Sequence, residues 1–92
     1  MIVRILTEGQ YRLDSDYLDA LNELDNRLVE VVAKGDEESY KQLFSELLAF
    51  VRAKGQAVSP RELVASDVVL PAPDTTLEEA RRLFTADGVI PG

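Results

Sequence analysis

The side chains that carry most enzyme chemistry are missing from this chain. It has no histidine and no cysteine, so Ser-His-Asp and Cys-His nucleophile systems and the common zinc ligand sets cannot be built. Carboxylates remain, 17 of them, and the densest run is Asp14-Ser15-Asp16 with Asp19. Set against an EF-hand loop, this run puts Leu18 at a ligand position, Asp19 where the glycine belongs and Asp25 where the bidentate glutamate belongs. It suits helix capping better than calcium. The five glycines, at 9, 35, 55, 88 and 92, are too far apart for either phosphate-cradling fingerprint. A carboxylate pair assembled in space is the one catalytic arrangement left open. No catalytic residue, cofactor or metal site is expected, and the expected class is a domain that binds another protein.

Charge narrows the choice of partner. Seventeen acidic against ten basic residues give a formal charge of −7, which repels phosphate backbones and anionic lipid at long range. Nucleic acid and direct membrane insertion are therefore not expected. The start, Met1-Ile2-Val3-Arg4, has no charged region followed by a long apolar core, and no apolar run approaches the length of a membrane span. Together with the absent cysteine, this points to the cytoplasm.

The elements that must position any binding surface follow from periodicity. Ninety-two residues, 46% of them hydrophobic, support one core and a single domain over 1–92. Ile2 to Leu6 and Gln10 to Leu13 are β-rich and separated by Thr7-Glu8-Gly9, where Gly9 supplies the positive φ of a hairpin loop. Alternation puts Val3 and Ile5 on one face; Arg4 shares the other with Ile2 and Leu6. Asp14-Ser15-Asp16 starts a helix over about 15–34 that ends at Lys34-Gly35, with an apolar stripe of Tyr17, Leu18, Leu21, Leu24, Leu28, Val31 and Val32. Asp36 caps a second helix over about 37–54 with the stripe Tyr40, Leu43, Phe44, Leu47, Leu48 and Val51. So short a link folds the two into an antiparallel helical hairpin.

Beyond Gly55 the signals are shorter. Ser59-Pro60-Arg61-Glu62 reads as a capping box with Val58 and Leu63 as its staple, which predicts a short helical turn. Val68-Val69-Leu70, stopped by Pro71, can add a third strand to the hairpin. Thr75 or Thr76 then caps a last helix containing Leu77, Ala80, Leu83 and Phe84, closed by Gly88. The expected fold is α+β: an N-terminal β-hairpin, extended to a small three-stranded sheet if the third run joins it, packed on an antiparallel helical hairpin with a short C-terminal helix.

Candidate contact residues come from what these elements leave outside. Asp16, Asp19, Glu23 and Glu30 lie on one side of the first helix, and Asp25 borders its apolar stripe. This acidic face can dock a basic partner helix. Much of the charge is also ordinary helix surface, since Glu23/Arg27, Glu30/Lys34, Glu37/Lys41 and Glu78/Arg82 are all spaced for favourable i,i+4 pairs. Ile2 and Leu6 leave apolar area on the arginine side of the hairpin that a second subunit or partner could cover, so a homodimer is open.

Three segments carry a family resemblance that covers the whole chain. Met1 to Tyr11 (MIVRILTEGQY), Ser66 to Pro71 (SDVVLP) and Asp87 to Gly92 (DGVIPG) together resemble the PspAA domain, the phage-shock-protein-A-associated family. The resemblance implies a small cytoplasmic accessory protein, encoded beside a PspA-type coiled-coil protein in a system that senses envelope stress and protects the inner membrane. It implies that coiled-coil protein as the partner. A broad apolar stripe with an acidic flank is physically suited to docking such long amphipathic helices.

Overall fold

The computed structural model describes residues 1–83. The hairpin forms as expected: β1 (Ile2–Ile5) and β2 (Gly9–Arg12) pair antiparallel, with Val3 opposite Tyr11 and Arg4 opposite Gln10. The Glu8 N–H donates to the Ile5 carbonyl across a three-residue loop. Gly9 has φ 146, and Thr7 also takes a positive φ, 68, a conformation that costs an L side chain roughly 1–2 kcal/mol.

The sheet is larger than the hairpin. β4 (Val68–Leu70) joins β1 in parallel, and β3 (Gln56–Ala57) joins β2 antiparallel, giving the order β3-β2-β1-β4. The third strand is thus present and a fourth accompanies it. β3 has no β-rich signature; the chain leaving the second helix at Gly55 runs directly beside Tyr11 and Arg12, and the Val58 N–H donates to the Gln10 carbonyl at 2.9 Å.

The helices hold to their sequence signals. Asp14 accepts the Asp16 N–H at 2.9 Å and opens a 3-10 turn (Ser15–Tyr17), from which α1 (Leu18–Lys34) continues. Gly35, in the left-handed region at φ 72, sends its N–H to the last carbonyls of α1, the usual glycine solution to a helix C-terminus. Asp36 then accepts from the Ser39 N–H and hydroxyl and starts α2 (Glu37–Lys54). The last described helix, α3 (Leu77–Leu83), opens on a reciprocal box: Thr76 Oγ1 accepts from the Glu79 N–H, and Glu79 Oε1 accepts from the Thr76 N–H. Phe84, Gly88 and the DGVIPG segment lie outside the described residues.

The core sits between the sheet and the helical hairpin. Val3, Ile5, Leu13, Val68 and Leu70 from the sheet side meet Leu21, Leu28 and Val32 of α1 and Tyr40, Phe44, Leu47, Leu48 and Val51 of α2, with Ala80 of α3 closing one end. Tyr40 stacks on Phe44 and donates its hydroxyl to the Thr75 carbonyl at 2.7 Å, fastening the connector that leads to α3. Burial, with Glu79 nearby, pushes the Tyr40 phenol up to about 12.

The short turn expected at Ser59 to Glu62 forms as a single turn: the Ser59 carbonyl accepts the Glu62 N–H and the Ser59 hydroxyl accepts the Arg61 N–H. Leu63 is 98% exposed, so no staple with Val58 forms. The Glu62 carboxylate, which a capping box would turn back to Ser59, goes to Arg12 of the sheet instead, and residues 58–67 run as a strap across its outer face.

Candidate partner-binding surfaces

Two surfaces stand outside the core: the exposed side of α1 and the outer face of the sheet. On α1 the pattern i, i+4, i+7 that buries Leu21 and Leu28 leaves Asp19, Glu23 and Glu30 exposed, with Asp16 exposed just before them. Glu23 pairs with Arg27 at 2.7 Å and Glu30 lies 4.0 Å from Lys34, so the C-terminal half of this face largely neutralises itself. Glu37–Lys41 forms likewise at 3.8 Å; Glu78 and Arg82 do not form an ion pair among the described residues. Asp16 and Asp19 make no ion pair among the described residues, and between them Leu18 is 36% exposed. The uncompensated acidic charge is therefore concentrated at the N-terminal end of α1, beside an apolar side chain.

Asp25 is not part of that exposed set. It is 1% exposed and lies in line with Leu21, Leu28 and Val32, four residues after Leu21 and three before Leu28. Ile2 is also inside, at 8%, whereas Leu6 on the same face of β1 is 43% exposed and Val69 of β4 is 42%. The apolar area expected around Ile2 and Leu6 is thus displaced toward Leu6 and Val69, because the strap covers the Ile2 end.

The strap is held by polar contacts that converge on Ser66. Its hydroxyl accepts from Arg4 Nε at 3.2 Å and from Gln10 Nε2 at 2.7 Å, and Gln10 Nε2 also reaches the Val64 carbonyl. Asp67 Oδ2 accepts the Ile2 N–H at 2.7 Å while the Asp67 N–H donates to the Ile2 carbonyl. Arg12 meets Glu62 at 3.3 Å. Sequence reasoning left Gln10, Ser66 and Asp67 unassigned. The signal available was the placement of Arg4 and Gln10 on one outward face, which needs polar company from somewhere else in the chain.

At the hairpin turn a third group ties the sheet to α2. Arg52 of the last turn of α2 forks onto both oxygens of Glu8, and the Tyr11 hydroxyl donates to Glu8 Oε2 at 2.6 Å. The Arg52 bond, then that of Tyr11, lowers the Glu8 carboxyl from 4.5 to about 2. The same contact raises Arg52 and Tyr11. Asp36 and Glu79 are also lowered, each by the hydrogen bonds of its cap, from Ser39 and Thr76 respectively.

Two open grooves of comparable size flank these elements. One, about 440 Å³, runs between the hairpin and the strap and is lined by Arg4, Gln10, Leu63 and Val64 among others. The second, about 450 Å³, lies between α2 and the connector to α3, along Tyr40, Phe44, Leu48 and Pro73. Among the described residues no group of three or more carboxylates is placed to hold a metal ion. No helix among them is long and apolar enough to cross a membrane.

A family model described as PspA-Associated protein matches residues 1–92. Comparison with curated proteins and with solved structures gives no match.

Proposed function

The chain belongs to the PspA-associated family, and from that premise we propose that it is a non-enzymatic accessory protein of the cytoplasm that binds a PspA-type coiled-coil protein in an envelope-stress response. The whole-chain match carries this reading. The surface chemistry agrees with it: a PspA-type partner is a long amphipathic helix, and the α1 face offers Asp16 and Asp19 with Leu18 between them, an acidic patch with an apolar centre. Opposite charge steers such a partner into register, while Leu18 supplies contact area that water does not compete for. Glu23 and Glu30 extend the patch but share their charge with Arg27 and Lys34.

The experiment is co-purification of this chain with a PspA-type coiled-coil protein from the same genome, followed by titration. The wild type forms a complex at roughly micromolar concentration, and reversing Asp16, Asp19 and Glu23 to lysine weakens it at least about tenfold. Asp25 is left unchanged, because at 1% exposure its reversal tests folding before it tests docking. Absence of any complex at that concentration removes the reading, and a complex indifferent to the three reversals moves the contact to another face.

A further inference from the structure

β3 and β4 stand on opposite edges of the sheet, so the chain that joins them, residues 58–67, has to cross β2 and β1. It crosses on the face away from the helices, over Arg4, Gln10 and Arg12. No residue of this strap is buried, and Leu63 is 98% exposed. The chain on either side is anchored: Val51 before the strap and Val68 and Leu70 after it belong to the core.

What fastens the strap is mainly hydrogen bonding. Gln10 Nε2 donates to the Ser66 hydroxyl and the Val64 carbonyl, Arg4 Nε donates to the same hydroxyl, and Asp67 makes two bonds with the Ile2 backbone. The Arg12–Glu62 pair stands half in water, its side chains 52% and 53% exposed. Bonds of this kind trade closely against bonds to water, and exposed ion pairs contribute little. Beneath them lies Ile2, which shares the outward face of β1 with Arg4 and stands outside the core cluster, yet is only 8% exposed.

We propose that the strap is a gate on the outer face of the sheet: residues 58–67 swing open between the fixed strands β3 and β4 while the core stays closed, and opening unmasks Ile2 together with the side chains of Arg4, Gln10 and Arg12. A segment with few buried apolar contacts and solvent-near bonds opens at a lower free energy than the core around it. Because both ends are held in the sheet, opening leaves the β1–β4 pairing and the helical layer in place. The outer face thus has a covered state and an uncovered one, and the uncovered state gains an apolar side chain and three polar ones that the closed strap occupies. The gate lies across the sheet from α1 and does not depend on the contact proposed there.

The chain has no cysteine, so a thiol introduced at one position reports on that position alone. Ile2→Cys places it under the strap, and Val3→Cys places it one residue on, in the core at 0% exposure. When the folded full chain is treated with a thiol-specific aromatic disulfide, position 2 is expected to label at least about tenfold faster than position 3. Adding Ser66→Ala, which removes the acceptor shared by Arg4 and Gln10, should speed labelling at position 2 about fivefold and leave position 3 unchanged. Either cysteine loosens packing, so the unsubstituted chain supplies a second reading. Its Val58 and Asp67 amides, bonded to the Gln10 and Ile2 carbonyls, should exchange at least about tenfold faster than the Leu6 amide, bonded to the Leu70 carbonyl. The proposal is overturned if position 2 labels no faster than position 3, if Ser66→Ala leaves position 2 unchanged or speeds both positions alike, or if the three amides exchange together.

Discussion

Val3 and Arg4 are neighbours in the chain on opposite faces of one sheet, and what covers them differs in kind. Val3, with Ile5, Leu70 and Val68, is closed off by the side chains of α1 and α2. That closure is apolar, without directional demands, and grows with the area removed from water. Arg4 is met by Ser66, Gln10 by Ser66 and Val64, and Arg12 by Glu62, contacts that depend on angle and contribute little net energy each because water competes for them. The inner face therefore holds the fold, and the outer face fixes which side chains the strap displays.

The sharpest way to break this comparison is to cut adjacent residues on the two sides. Ile5 is 0% exposed and Leu6 is 43%. Ile5→Ala should lower the unfolding free energy by about 2–5 kcal/mol in urea titration, and Leu6→Ala by less than about 0.5 kcal/mol. Comparable losses would mean that the outer face contributes to the core after all.

Next in size is Gly55, where the chain turns from α2 into β3. A methyl there would sit 2.7 Å from the Val51 carbonyl oxygen and 3.0 Å from Tyr11 Cβ, both fixed by secondary structure. Gly55→Ala should cost about 1–3 kcal/mol through this overpacking. If the melting temperature does not move, β3 is not held as tightly against β2 as its register requires.

The inner face was legible in the sequence because its signals are local and periodic. The stripes of the two helices, the caps at Asp14, Asp36 and Thr76, and the αL glycine at 35 can all be read from spacing alone, and Gly9 from the hairpin pattern. The outer face was not. The capping-box spacing of Ser59 and Glu62 is real, but Glu62 goes to Arg12, fifty residues earlier in the chain, and no local rule anticipates that. β3 is two residues long and takes its geometry from its neighbour, so no propensity marks it. Asp25 misled for a related reason: its place on the wheel borders the stripe, and an acidic residue there reads as surface until the packing of α1 shows it at 1% exposure.

The strap itself is tested through Ser66. Ser66→Ala removes the acceptor shared by Arg4 and Gln10, but both donors are near enough to solvent to find water. The expected loss is about 1 kcal/mol, with faster amide exchange over residues 58–67 and none over α2. Exchange that accelerates equally in the core would show that strap and core unfold as one unit and that the two faces are not separable.

The smallest effect concerns the junction of the two faces, where Glu8 at the hairpin turn receives Arg52 from α2 and the Tyr11 hydroxyl. The folded carboxyl titrates near about 2, against 4.5 without these partners. A depressed carboxylate stabilises the fold in its charged form, so the contribution is complete above about 4.5 and is lost as pH falls through about 2. Arg52 is 41% exposed, and solvent screening holds the pair to no more than about 1 kcal/mol. The stability of wild type over Glu8→Gln should then be constant from neutral pH down to about 5, shrink through the acid range and vanish near about 2. Raised salt should reduce the gap at neutral pH, because an exposed pair is screened. A gap that survives unchanged at low pH would mean that Glu8 acts by shape and not by charge, and that the turn is fixed by its left-handed Thr7 and Gly9 alone.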